Sequence, residues 1–332
     1  MSRLLTFLWG AMFAAAAMAQ QGTGTISGIV TDPQDAVAAG AEVRVRNVAT
    51  NSMFRTRTND QGFYAAPGLP VGEYEVNAEL PGFKRTVRTG ITLQVNQNAQ
   101  VNLRMEVGQV SESVEVVGEA ALVNTTNATV GEVIENRRVR DLPLNGRGAL
   151  ALTLLTTGVI SNAGPTNSGF GDRGIQISSL SINGSPSSMN AQMLDGSNNI
   201  LSYVGEVGVP PAVDAVEEFK VQSGSMSAEF GFTAGGTINL VTKSGTNQYH
   251  GTAYEFLRND KFDARNTFAP VKLPFRYNQF GASLGGRILD RTFGFFELGR
   301  LQVAAGLAAI ASMPLDNWRQ GDFSNLLDNT EA

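Results

Sequence analysis

The chain has 332 residues, 37 of them glycine and none cysteine, and a formal charge of −5 from 25 basic and 30 acidic side chains. Glycine above the average of roughly 7% favours turns and strands, while a net acidic balance excludes the clustered positive charge that a nucleic-acid partner needs. The lack of cysteine excludes disulfides and thiolate metal sites, leaving stability to packed cores and strand pairing.

At the N-terminus, Arg3 precedes a largely apolar run over residues 4–17 and the small-residue pattern Ala17-Met18-Ala19. This is the pattern of a secretory signal peptide over residues 1–19, with cleavage expected between Ala19 and Gln20, because the apolar run is short of the roughly 20 residues a transmembrane helix needs. Residues 303–313 are mostly alanine and glycine and no longer apolar run follows. Any membrane insertion must therefore use strands.

Residues 21–107 carry a period of two. Val43 and Val45 alternate with Glu42, Arg44 and Arg46, while Tyr74, Val76, Ala78 and Leu80 alternate with Glu73, Glu75, Asn77 and Glu79. Further runs, ITLQV at 91–95 and VNLRM at 101–105, are separated by turn signals such as Asp32-Pro33, NDQG at 59–62 and Pro81-Gly82. Short strands at this spacing predict a small antiparallel sandwich. The segments GTISGIVTDPQDAVAAGAEVRV and TNDQGFYAAPGLPVGEYEVNAELPGF resemble the carboxypeptidase regulatory-like domain, a transthyretin-like β-sandwich, with Thr58, Asp60, Gly62, Phe63, Leu69, Gly72, Tyr74 and Gly82 in its spacing. Analogy with starch-binding sandwiches would make this a glycan-binding module. The residues themselves favour Phe63, Tyr74 and Phe83 as core or edge packing, the usual role of aromatics in strands.

Residues 111–245 read as a compact α/β unit, with helices expected at 130–139 and 148–155 and strands at 175–182, 218–222 and 237–242. The motifs LPLNGRGALALTLLTTGV, LSINGSPSSMNAQMLDGSNN, VDAVEEFKVQSGSMSAEFG and AGGTINLVTKSGTN occur in that order. Together they resemble the plug domain of a TonB-dependent outer-membrane receptor of the Oar-like group, which carries such a sandwich ahead of its plug. Phe232 and Gly148 depart from the family's usual arginine and asparagine. Gly235 and Gly236 are expected to permit close backbone approach or positive φ, and Ser244-Gly245-Thr246-Asn247 to form the turn into the first barrel strand.

Between sandwich and plug stands SESVEVVGEA, where receptors of this family carry the short segment bound by the TonB protein. The resemblance implies that Ser113, Val114, Glu115, Val116 and Val117 are that segment. An extended, alternating strand suits the role because it can pair with a sheet edge on a partner through main-chain hydrogen bonds. The same residues also read as a linker or as the last strand of the sandwich.

From Tyr249 onward, YHGTAYEFLRND, RYNQFGASLGGRI and TFGFFELGRL each read as a strand of about ten residues with a tendency to alternate, as where one face meets lipid and the other a lumen. They resemble the opening hairpins of the receptor barrel, and GDFSNLL a family loop; Arg287 and Gly294 depart from its proline and phenylalanine. A plugged barrel of about 22 strands, each of about 9–11 residues, needs several hundred residues. The expectation is a truncated chain that stops at Ala332 with the barrel (246–332) incomplete.

No catalytic site, metal site or cofactor is expected. Asp195 with Asn198 and Asn199 offers oxygen ligands for calcium but lacks an ordered ligand ladder, which favours an Asx turn. His250 is the only histidine, so zinc sets and Ser-His pairs are not assembled beyond one imidazole. SGFGDRG at 168–174 lacks the Lys-Ser or Lys-Thr of a phosphate loop, and Glu217 and Glu218 should point to opposite faces of a strand. The fold class expected is mainly β: a transthyretin-like sandwich, an α/β plug and the first strands of a transmembrane barrel. The function this implies is an outer-membrane receptor or transporter, exported through a cleaved signal peptide. Its partners would be the TonB protein, outer-membrane lipid and an unidentified ligand, for which a glycan is one candidate. The alternative is a surface or periplasmic carbohydrate-binding or adhesion protein that uses the sandwich.

Overall fold

A computed structural model describes residues 22–108, 113–117, 130–142, 148–161, 180–201, 206–209, 211–224, 233–265, 267, 271–305 and 320. The expected cleavage site at Ala19 and Gln20, the SGFGDRG run, Phe232, residues 175–179 and GDFSNLL lie outside the described residues. The described chain is mainly β. The described chain divides into two compact units, one holding residues 254–281 and 299–305 and the other residues 22–253 and 282–298.

The first region contains β1 (Thr23–Thr31), β2 (Glu42–Asn47), β3 (Met53–Arg57), β4 (Phe63–Pro70), β5 (Gly72–Glu79), β6 (Arg85–Leu93), β7 (Asn98–Gln100), β8 (Leu103–Arg104) and β9 (Ser113–Val117). One sheet has the order β4-β1-β7, with β8 also on β1, and the other the order β3-β2-β5-β6-β9. The period-two pattern does what it implies: Val43, Val45, Tyr74, Val76 and Ala78 meet Ile26, Val30, Tyr64 and Ala66 in one buried core. The alternate positions Arg44 and Arg46 form ion pairs with Glu79 at 3.1 Å and Glu75 at 2.5 Å, pairs half open to water and worth about 0–1 kcal/mol each.

One expectation is corrected here. The sandwich is mixed rather than wholly antiparallel, because β1 runs parallel to β7 and β8, and β6 parallel to β9. After β6 the chain turns through Asn96, at φ 50°, and changes sheets. It therefore returns alongside β1 in the same direction. That crossover packs the chain tightly at Gly28, where an added Cβ would stand 2.0 Å from the Val101 carbonyl oxygen. Gly28→Ala should therefore destabilise the sandwich by about 1–3 kcal/mol, the usual cost of overpacking. Urea unfolding of both proteins checks this, and an unchanged midpoint would refute the close approach.

The second region contains β10 (Val130–Glu135), α1 (Asn136–Asp141), a 3-10 helix (Ala149–Leu155), β11 (Val159–Ser161), β12 (Leu180–Ile182), β13 (Ala191–Leu194), β14 (Ser197–Asn198), β15 (Ile200–Leu201), β16 (Glu206–Val207), β17 (Val216–Gly224) and β18 (Thr237–Thr242). Its main sheet has the order β10-β17-β18-β13-β14. The helix expected over 130–139 begins instead as strand β10 and becomes helical only at Asn136. Pairing decides this: Ile134 lies opposite Phe219 and Glu132 opposite Val221, which buries Ile134 against β17. A β-branched residue packs well on such a pleated surface. The second expected helix is a 3-10 helix that buries Ala149, Leu150, Leu152 and Thr153. Strand 237–242 stands as expected, and 218–222 is the middle of the longer β17.

The last described strands are β19 (His250–Asn259), β20 (Phe275–Leu289) and β21 (Thr292–Ala305), hydrogen-bonded in that order. With 15 and 14 residues, β20 and β21 exceed the expected ten. Along β20, the exposed Phe280, Leu284 and Ile288 fall on one face of the period-two pattern and Gln279, Ser283 and Arg287 on the other. Among the described residues no helix is long and apolar enough to cross a membrane, which says nothing about strands.

Candidate functional site

Strand β9 is made of Ser113, Val114, Glu115, Val116 and Val117, the segment singled out for partner binding. It pairs in parallel with β6 along its whole length, in the register Arg85↔Ser113, Thr86↔Val114, Val87↔Glu115, Arg88↔Val116 and Thr89↔Val117. The valine-rich composition suits an extended strand. Its position at the end of the five-stranded sheet is the one the sandwich-strand reading described. Parallel pairing is slightly less stable per residue than antiparallel pairing, and five residues make a short ladder.

The sandwich meets the second region through the turn at 94–97. Gln94 N–H donates to Gln97 Oε1 at 2.7 Å and shapes that turn. The next amide, Val95 N–H, donates to the Glu218 carboxylate, and Lys220 Nζ donates to the Asn96 carbonyl at 3.2 Å. Close by, Gly22 leaves so little room that an added Cβ would stand 2.6 Å from Val241 Cγ2. Glu218 and Lys220 are both buried although they stand on a strand whose other face carries Phe219 and Val221. Burial pushes the Glu218 carboxyl up to about 7; the Val95 amide and Lys220 pull it down, and Glu217 and Glu135 push it further up. The neighbouring Glu217 is exposed, at the point where the pairing of β17 with β18 shifts register. Sequence reasoning missed the burial of Glu218. The alternation of β17 assigns it to a polar face, and nothing in the local pattern says that another domain covers that face.

The oxygen-rich loop is structural. Asp195 and Gly196, at φ 50° and 80°, form the two-residue turn of the β13–β14 hairpin, the left-handed geometry that Asp-Gly supplies. Both Asp195 carboxylate oxygens are taken by Thr242, from its N–H and its hydroxyl, each at 2.8 Å. Asn198 Oδ1 accepts from Ile200 N–H at 3.2 Å, and Asn199 holds Val209 by two 2.8 Å bonds. Side-chain oxygens spent in this way close turns, the role favoured over calcium ligation.

Of the three aromatics weighed for ligand stacking, Tyr74 is 2% exposed, Phe83 packs partly buried against the core, and Phe63 is 44% exposed. Tyr74 also donates its hydroxyl to the Pro70 carbonyl at 2.7 Å, which leaves no face for a sugar. His250 is exposed at the start of β19. Gly235 and Gly236 are needed for close approach and not for positive φ: added Cβ atoms would meet Ser185 Oγ at 1.9 Å and Gln222 O at 2.7 Å. Gly245 serves the same purpose, with the carbonyls of Gly286 and Gly294 at 2.4 and 2.5 Å from its Cβ position.

Two family models match the chain. Residues 25–106 match the carboxypeptidase regulatory-like domain, and residues 241–331 match the outer membrane beta barrel domain. Over 300 residues the chain is 28% identical to the TonB-dependent transporter Oar of Myxococcus xanthus. The match takes in 86% of this chain and 27% of that relative, so the chain spans about a quarter of the relative's length. Among solved structures, the Bacillus anthracis TIE protein is 24% identical with a TM-score of 0.24, over 26% of this chain and 17% of that one. Hydroxyquinol 1,2-dioxygenase from Pseudomonas putida DLL-E4 is 12% identical with a TM-score of 0.23, over 27% of this chain and 58% of that one.

Proposed function

We propose that this chain is the N-terminal part of a TonB-dependent outer-membrane transporter. Residues 21–107 are its sandwich, 111–245 its plug and 246–332 the opening strands of its barrel. One observation carries the reading: the similarity to the Oar transporter runs over 86% of the chain, and so through all three regions rather than one shared module. The amphipathic β20 also supports it, since a strand with one exposed apolar row suits a lipid boundary. On this reading the leader is removed between Ala19 and Gln20, the mature chain sits in the outer membrane, and the plug gates the passage of an unidentified ligand. Ser113–Val117 is the segment that the inner-membrane TonB protein takes hold of by adding a strand.

The test is binding to the purified periplasmic domain of the TonB protein. A proline cannot donate to a ladder and disrupts a strand that must pair. Val116→Pro should abolish binding while leaving the sandwich and plug folded by circular dichroism. Undiminished binding by that variant would remove Ser113–Val117 as the coupling segment.

A further inference from the structure

The segment assigned to the partner is already engaged within the chain. All five residues of β9 are in register with β6, whose opposite edge is taken by β5 through six antiparallel pairs. Thus β6 is an interior strand of the sheet and β9 is the strand at its end. The link between them is short: Phe83, just before β6, bridges Val107, Gly108 N–H donates to the Gly82 carbonyl at 3.2 Å, and Ser113 follows within five residues. The sandwich therefore holds the start of the segment at the mouth of its own β6 edge, at high effective concentration for rebinding.

From this juxtaposition, and resting on the function proposed above, we propose that the sandwich stores the coupling strand: β6 and the TonB protein compete for residues 113–117, and β9 must leave β6 for the transporter to be engaged. The ladder suits a reversible store, because it is parallel, five residues long and at the end of a sheet, the least cooperative place to add a strand. A segment that is bound only in its released form has its apparent affinity reduced by the released fraction. Locking the strand down should therefore weaken partner binding, and freeing it should restore it.

The chain has no cysteine, so a lock can be engineered cleanly. Arg88 and Val116 are directly paired, at a spacing that suits a disulfide. Arg88→Cys with Val116→Cys should form an intramolecular disulfide on oxidation of the full chain. The misregistered pair Arg88→Cys with Ser113→Cys, three positions out of step, should not. Equal yields from the two pairs would overturn the docking itself, with no partner needed. The periplasmic domain of the TonB protein is then titrated against the oxidised and reduced forms. Oxidation should weaken binding by on the order of 10-fold or more, and reduction should restore it. Equal affinity of the two forms would show that the partner adds to the outer edge of β9 and would overturn competition while leaving the coupling segment intact. If the unsubstituted chain does not bind at all, the coupling role falls first and competition falls with it. Should Val116→Cys itself spoil recognition in the reduced state, Arg85→Cys with Ser113→Cys, the paired residues at the other end of the ladder, provides the same comparison.

Discussion

Tyr74→Ala should destabilise the sandwich by about 3–5 kcal/mol, the range for truncating a large buried aromatic. The ring is 2% exposed in the middle of the first core, between Val76 on its own strand and Ile26 and Tyr64 from the facing sheet. Removing it leaves a cavity that two stacked sheets cannot close without breaking ladders on either side. Its hydroxyl, held by the Pro70 carbonyl at 2.7 Å, is a smaller part of the effect. Tyr74→Phe should cost only about 0.5–1.5 kcal/mol. Urea unfolding of the three proteins, followed by near-ultraviolet circular dichroism, separates the two contributions. A loss below about 1 kcal/mol for the alanine variant would mean that the ring is not core, and would reopen ligand stacking on the sandwich.

The second large effect depends on pH and belongs to the junction between the sandwich and the second region. In the unfolded chain the Glu218 carboxyl titrates near 4.5, and in the folded protein burial raises it to about 7. Below the lower value both states hold the proton and the folded state bears no penalty. Between the two values the unfolded chain releases its proton while the folded one keeps it, so stability falls as pH rises through that window. Each tenfold step in acidity is worth about 1.4 kcal/mol, so the full loss, complete above pH 7, is about 3 kcal/mol. Glu218→Gln retains an acceptor for the Val95 N–H and removes the titration. Its stability should change much less between pH 4.5 and 7.5 than that of the unsubstituted chain. Parallel pH profiles for the two would show that Glu218 is not buried at that junction.

Local chemistry alone determined a good deal about this protein. The alternation of Val43, Val45, Tyr74 and Val76 with charged residues named both the strands and the faces that form the first core, because a strand has a strict period of two and one face must be dry. Turn chemistry was partly legible: Asp195 lies in a tight turn, and Gly235 and Gly236 stand where an added Cβ would find no room. Family motifs in order suggested the sequence of regions, and the chain is similar to the Oar transporter over 86% of its length. Other features depended on contacts distant in the chain. Residues 130–135 were expected to be the start of a helix, and pairing with β17 makes them a strand instead. The mixed direction of the sandwich followed from a crossover after β6 that no periodicity encodes. Glu218 has the local pattern of a surface residue, and it is the turn at 94–97, more than a hundred residues away, that buries it. For Ser113–Val117 the sequence left both a partner segment and a sandwich strand open, since any valine-rich alternating stretch can pair with whichever edge is nearest. The tertiary structure decided which edge that is: β6 lies within five residues' reach of the end of the sandwich and presents one unfilled side.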